Sequence, residues 1–478
     1  MTARVVAGLR VVQVVAARAD PTLAVAAGVI ARAVGLPLSS VSRLCAELVD
    51  LGLLARGEAY GSYRVGYAAL ALSGRAAAPF ARAARTVLTR IAQSTGESAL
   101  LAASTPDGMR VIGAVTSPWT LHSPATVGEL VVDPASAIVR AGDRNGQVVE
   151  AIVGKCVELA VPVLEPGGEA VAIVAVRLPV NRAKEGVAVA HRAAVAARRT
   201  LEHVLNEHEG CTRPFATAPS VPPKSALAAA QLLLEILATS DGTVTDLVRA
   251  TGLRRDRLLR LVESCRRAGF LRVEPEGTRV RLDWSLHGWM RAASGPTLAR
   301  DGAPIVADVA DRTGVCAFIT VLRGMRSVTL VEELRSLGPG LEMTRWLGRP
   351  CPILSSDGGP ALVMDFDRDA IAAFLPKRTD PREAAEFFQR VETLAEHGVI
   401  AREAFEEAGQ TAFAAPIRDS SGAVVAAACL VGATDEMRPR IAELSTVVGE
   451  MAADLSGLVG GDRATGGDAG EAALPSRR

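Results

Sequence analysis

A chain of 478 residues is too long for one ordinary core, and at roughly 100–200 residues per domain it should hold three or four. Hydrophobic residues make up 49% and aromatics 4%, a globular composition with small-residue cores, while a formal charge of +1 gives nucleic-acid binding no support from the total. Seven scattered Cys without a C-x-x-C exclude a disulfide framework and a structural zinc site, and no clean apolar run of about 18 residues offers a membrane span.

Arg4, Arg10 and Arg18 interrupt the apolar residues of the N-terminus, so no signal peptide is expected and the chain should be cytoplasmic. Apolar periodicity predicts a helix over 5–17, a short one around 23–33 and a third over 38–51. Between the last two, Gly35 supplies a left-handed turn and Leu36 drops into the core. Val41, Leu44 and Leu48 make the buried stripe of the third helix, which leaves Ser39, Ser40, Ser42 and Arg43 on or beside the opposite face. Gly52 stops that helix, and residues 53–56 and 60–65 read as a hairpin wing whose Tyr63 and Arg64 reach toward phosphates.

A helix over 76–94 then connects to strand-like runs at 98–103, 109–115, 157–163 and 169–176, the pattern of an antiparallel sheet with helices on one side. Residues 211–224 are rich in Pro, Ser, Thr and Ala and read as a linker.

Beyond the linker the chain repeats itself. At an offset of 217, nine residues of the 33-residue window 32–64 recur identically, among them Gly35 and Gly52 on Gly252 and Gly269. Ala, Arg and Leu bias does not account for paired glycines, each of which needs its own backbone reason. The second copy has helices at 226–239, 244–250 and 254–268 and a wing at 270–273 and 278–282, with Arg254, Arg255, Arg257 and Arg260 on the third helix and Arg279 and Arg281 on the wing. Window 249–281 carries ten Arg against four acids, +6, and window 32–64 four Arg against three acids, +1. The second module should therefore bind phosphate more strongly, with a steeper salt dependence. A third helix presenting Ser and Arg at its N-terminal end suits the major groove, where Arg forks onto guanine and Ser contacts phosphate or base edges.

A helical stretch over 284–312 and strand-like runs at 315–321, 327–332, 411–417 and 423–431 follow, and 460–478 reads as a disordered tail. The later repeat matches, 160–163 on 414–417, fall at an offset of 254, so the first copy lacks a segment matching about 365–403.

The run from Ala31 to Leu54 with Tyr63-Arg-Val-Gly resembles the winged helix of the IclR family of regulators. Gly348-Arg-Pro-Cys-Pro-Ile-Leu-Ser-Ser-Asp-Gly-Gly, Asp380-Pro-Arg-Glu, His397-Gly-Val and Ala414-Ala-Pro-Ile resemble that family's effector domain. The resemblance implies an α+β chain with two winged helix-turn-helix domains, each followed by a GAF-like α/β effector domain, in tandem. The expected segments are a winged helix at 1–75, a shortened effector domain at 76–210, the linker, a second winged helix at 225–285 and a second effector domain at 286–459. The implied function is a DNA-binding transcription regulator that answers to a small-molecule metabolite and reads DNA with two non-identical helices. Its expected partners are double-stranded DNA and a small organic effector, in the family often an acid, with pairing as a homodimer or an intrachain pseudo-dimer and no membrane.

Cys316, Ser355, Ser356, Asp357 and Thr411 are the residues expected to line the second effector pocket. Ser355 to Asp357 should open a helix whose N–H groups suit a carboxylate, although plain capping explains the same residues and Asp357 would repel an acid. The rival reading is a protein-interaction or sensory module that uses the winged helices mainly for dimerisation. An enzyme is not expected, since no G-x-S-x-G, P-loop or dinucleotide fingerprint is present, and no cofactor is implied. His203, His208 and Cys211 lack metal-ligand spacing, and the Asp-rich run at 365–369 lacks the Gly and Glu of a calcium loop.

Overall fold

The computed structural model describes residues 2–142, 146–209, 222–274, 279–335, 343–376, 378–403 and 409–460, in two compact units, Met1–Ala293 and Ser294–Arg478. Most of the linker expected at 211–224, the residues of the tail beyond Gly460, and Cys211 lie outside the described residues.

The first unit opens with α1 (Thr2–Ala16), β1 (Val25–Ala26), α2 (Ala27–Val34), α3 (Leu38–Asp50), β2 (Leu54–Arg56) and β3 (Ser62–Val65), its strands ordered β1-β3-β2. The second helix starts at Ala27 rather than near residue 23 because Val25 and Ala26 pair with Tyr63 and Ser62 instead. It ends at Gly35, whose φ of 68° lets its N–H turn back to the carbonyls of Ala31 and Arg32.

Next come α4 (Tyr67–Thr95), β4 (Ser98–Thr105), β5 (Gly108–Val115), β6 (Leu130–Val131), α5 (Ala137–Ala141), β7 (Val149–Val153), β8 (Cys156–Leu164), β9 (Ala170–Pro179) and α6 (Val180–Glu209). Their six strands form an antiparallel sheet in the order β6-β5-β4-β9-β8-β7. Helices cover both faces, not one. Leu88 and Ile91 of α4 and Leu201 of α6 pack on Leu101, Val161 and Val174, while Ile138 of α5 packs with Leu100, Ala102 and Ala160 on the other face. The hydrophobic strands read as buried on one side are buried on both.

The unit then repeats its opening order with α7 (Ala226–Leu237), β10 (Gly242–Thr243), α8 (Val244–Thr251), α9 (Arg255–Arg267), β11 (Leu271–Val273) and β12 (Arg279–Leu282), strands ordered β10-β12-β11. A capping box between Thr243 and Asp246 starts α8, and Gly252, at φ 67°, ends it. A short 3-10 turn, Trp284–His287, leads into α10 (Gly288–Asp301), within which the unit boundary falls.

Three sets of contacts hold this second three-helix element inside the first unit. Helix α1 lies against α7 and α9, so closely that a Cβ on Gly8 would stand 2.5 Å from Leu227 Cδ2. Arg272 and Arg281 both ion-pair with Glu165, in the turn between β8 and β9. Trp284 stacks on Phe80 of α4 at 5.0 Å, and the Ser73 hydroxyl of α4 donates to the Leu286 carbonyl (2.6 Å) and accepts from the Met290 N–H (3.0 Å).

The second unit carries α11 (Ala303–Thr313), β13 (Cys316–Arg323), β14 (Arg326–Glu333), β15 (Pro350–Pro352), α12 (Gly359–Val363), α13 (Arg368–Phe374), α14 (Pro381–His397), β16 (Ile400–Glu403), β17 (Gln410–Arg418), β18 (Val424–Ala433), α15 (Thr434–Met437) and α16 (Ile441–Leu458). The helical stretch expected over 284–312 is broken at Gly302, where a Cβ would meet the Leu298 carbonyl oxygen at 2.4 Å. Its sheet order, β15-β14-β13-β18-β17-β16, has the same connectivity as the sheet of the first unit. What the first sheet domain lacks is α13 and α14 rather than everything from 365 to 403, since β7 occupies the edge position of β16. Phe387, Val391 and Leu394 of α14 pack with Ile371 and Phe374 of α13 and with Ala412 and Ala414 of the sheet.

Candidate functional site

Two surfaces follow from these elements. The first is built on α3 and α9. Helices α2 and α3 bend by 108° at Gly35-Leu36, the angle of a helix-turn-helix. Val41, Leu44, Cys45 and Leu48 are buried, and this leaves Ser39 and Arg43 exposed and Ser40 and Ser42 half-buried at the start of the helix. The Arg43 Nε donates to the Ser39 carbonyl (3.3 Å), which lays its guanidinium along the helix surface. In α9 the buried residues are Leu258, Leu261, Val262, Ser264 and Cys265; Arg254, Arg255 and Arg260 are exposed and Arg257 is half-buried. Arg260 is tied to Asp256 (2.8 Å) on the same exposed face.

The wings correct two of the expected contacts. Tyr63 is only 5% exposed, because on β3 it points the same way as Val65, into the core, and leaves Arg64 half-buried on the other side. Arg281 is only 9% exposed, covered by Glu165, Asp241 and Glu274, which lie within 3.7, 3.5 and 3.2 Å. Neither side chain is offered to a duplex. Arg279 stays half-buried.

Glu47, on α3, accepts from Arg4 of α1 (2.6 Å) and bonds Ser225, the N-cap of α7. Burial alone would raise its carboxyl, and these hydrogen bonds more than offset that, so it sits below the ordinary carboxylate range.

The second surface is a cavity of about 110 Å³ in the second unit. Phe318 and Thr320 of β13 and Ser327 and Thr329 of β14 form its floor, Cys429 and Val431 of β18 its far side, and Trp346, Ser355, Ser356 and Asp357 its rim. Three of the expected residues are therefore brought together. Ser356 donates to Ser327 across the cavity (2.8 Å). These residues directly precede α12, whose N-cap is Gly358. Burial, and then the charge of Asp357, hold the Cys429 thiol far above its usual range, which makes it inert.

Cys316 and Thr411 do not line the cavity. Cys316 lies at the start of β13, fully buried, with its sulfur bound to the Arg335 main chain, accepting from the N–H at 3.2 Å. Thr411 faces the other side of β17 and shares a hydrogen bond with Thr434 (2.9 Å), because Gln410 and Ala412 take the cavity face. The missed lining residues carried a readable sign. Thr320, Ser327 and Thr329 are hydroxyls at alternate positions of buried strands, where apolar residues are the rule.

Among the described residues, no group of three or more His, Cys, Asp or Glu is placed to hold a metal, and no single helix is long and apolar enough to cross a membrane.

A helix-turn-helix with an exposed second helix, joined in one chain to a sheet domain with a polar-floored cavity, is the two-part architecture of a DNA-binding regulator. Residues 5–58 match the IclR helix-turn-helix domain, and residues 290–457 match the bacterial transcriptional regulator IclR C-terminal domain. The two matches support an IclR-type transcription regulator. The chain is similar to an IclR-family regulator from Rhodococcus sp. (23% identity, TM-score 0.37, 51% of this chain and 96% of that one). It is also similar to HmgR of Pseudomonas aeruginosa (17% identity, TM-score 0.37, 49% and 96%). A third similar structure is the inducer-binding domain of PobR from Acinetobacter, solved with 3-hydroxybenzoic acid (17% identity, TM-score 0.29, 33% and 97%). No curated protein matches the chain.

Proposed function

We propose that the chain is a metabolite-responsive transcription regulator that reads double-stranded DNA with two non-identical helices, α3 and α9, set in one chain by an internal duplication. The observation that carries this is the exposure of Arg254, Arg255 and Arg260 on α9 beside that of Ser39 and Arg43 on α3, each helix following a left-handed glycine. The repeated strand orders and the 217-residue offset support the duplication. The contact of α1 with α7 and α9 supports an intrachain pseudo-dimer, with Arg64 and Arg279 as flanking phosphate contacts.

The effector is a small organic molecule held in the cavity of the second unit by Ser355, Ser356 and Asp357. Asp357 is the one charged side chain among the described lining residues, so hydrogen-bond donors on the ligand suit it better than a carboxylate. Binding would act by favouring one arrangement of the chain over another.

Replacing Arg254 and Arg255 together by Ala should weaken DNA binding more than tenfold at moderate salt and reduce the slope of log K against log salt by about 2. An unchanged gel shift and slope would remove α9 from the interface. The paired α1 and α7 also suit the rival reading, in which these elements serve association alone; that reading requires wild-type and variant chains to ignore DNA equally.

A further inference from the structure

The two sheet domains can be laid on each other by their hydrogen-bond register. Both have a one-residue irregularity at the same point, between Leu101 and Ala102 and between Ile319 and Thr320. In the second unit, Cys316 faces Val431, which faces Ala412 on the next strand. In the first unit, the same three places are Ser98, Arg177 and Glu158. By the same register the cavity residues Thr320, Ser327, Thr329, Cys351 and Cys429 correspond to Ala102, Met109, Val111, Val131 and Ala175. The polar floor has become apolar and packs on Ile138.

Where Val431 lines a cavity, Arg177 stands in the first unit with 7% exposure, paired with Glu158 at 4%. Its Nε donates to Glu158 Oε1 (3.1 Å), and its Nη1 donates to Glu129 Oε2 (2.9 Å) and to the Pro124 carbonyl (2.8 Å). The other Glu158 oxygen accepts from the Ser136 hydroxyl and from the Ala137 N–H (3.1 Å). Ser136 lies five residues past Val131, as Ser356 lies five past Cys351. A carboxylate is thus fully coordinated by guanidinium, hydroxyl and amide at the place that the second unit keeps open.

We propose that the first sheet domain carries its own ligand. The Glu158 carboxylate, held by Arg177, Ser136 and Ala137, fills the effector place, so no metabolite carboxylate enters there; the separate hollow of about 450 Å³ over Met109 and Val131 is not lined by these residues. That the chain answers to one effector per molecule rests on the function proposed above; the closure of the first domain does not.

The consequence is that removing the carboxylate should create a site for a small monocarboxylate. The test uses the full chain with Glu158→Gly, sodium acetate as the probe, and sodium chloride at equal ionic strength as the control, read as the thermal midpoint. Glu158→Gly should lower the midpoint by about 10 °C, and acetate should raise it saturably by about half of that, while chloride does not. Wild type and Glu158→Gln, in which the space stays filled, should ignore acetate. An acetate response no larger in Glu158→Gly than in those two chains overturns the proposal, as does a Glu158→Gly midpoint equal to that of wild type. If Glu158→Gly does not fold in chloride, refolding in excess acetate should recover soluble chain, and failure to do so also overturns it. Loss of DNA binding would sink the regulator reading and leave this result untouched.

Discussion

The two sheet domains share strand order and register, yet one encloses a cavity floored by Thr320, Ser327 and Thr329 and the other closes the same place with Arg177 and Glu158. One backbone supports both outcomes because the choice lies in a few side chains on one face of the sheet. A buried ion pair is weak evidence for net stability, but it strongly opposes the loss of either partner. The first domain is therefore expected to be specified and rigid, and the second to be able to give way around a ligand. The surroundings differ in the same sense. In the first unit both three-helix elements are fastened to the sheet domain, through Glu165 on one side and through Arg110, which donates to the Ala17 carbonyl, on the other.

The strongest way to break this comparison is Glu165→Ala. It strips Arg272 and Arg281 of a shared acceptor, both being largely buried, and should destabilise the first unit by about 3 kcal/mol. Chemical denaturation should show the first unit's transition moving while that of the second unit stays; a shift of both together would mean that the units do not melt separately.

Acid offers a smaller effect. Burial, then Arg291 and Arg272, push the His287 imidazole down to about 3, against an ordinary value near 6.5. Between those values the unfolded chain binds a proton that the folded chain refuses, so stability falls as pH falls through that window. At pH 5.5 the first unit should have lost about 1.4 kcal/mol relative to neutral pH through this group. The slope should vanish in His287→Phe, which keeps a ring against Phe80 and Trp284; an unaltered slope would assign the acid sensitivity elsewhere.

The smallest effect is a difference between two serines. Ser136→Ala removes a hydrogen bond to a buried carboxylate and should cost about 2 kcal/mol, while Ser356→Ala removes one between two hydroxyls and should cost about 1 kcal/mol. Equal costs in urea melts would argue that both places are equally open.

Much of this was legible in the sequence. The paired glycines marked the left-handed ends of α2 and α8, and the β-rich runs located the main strands within a few residues. The misses have physical causes. Tyr63 and Arg64 were both expected to face outward, yet neighbours on a strand point to opposite sides, and Val65 shows which side is the core. The same rule separates Thr411 from Gln410. Arg281 was only partly recoverable locally: Glu274 is seven residues away, but Asp241 and Glu165, which complete its cover, are 40 and 116 residues away in sequence. Nor were the helices on the second face of the first unit's sheet, since Ala-rich strands read alike whether one side is buried or two.

The contact between α1 and α7 has a last consequence. In a regulator assembled from separate chains, such a pair dissociates on dilution, and operator occupancy then depends steeply on copy number. Here both helices belong to one polypeptide, so their encounter is governed by a fixed effective concentration set by the intervening chain. On the function proposed above, a single molecule per cell would present both helices already joined.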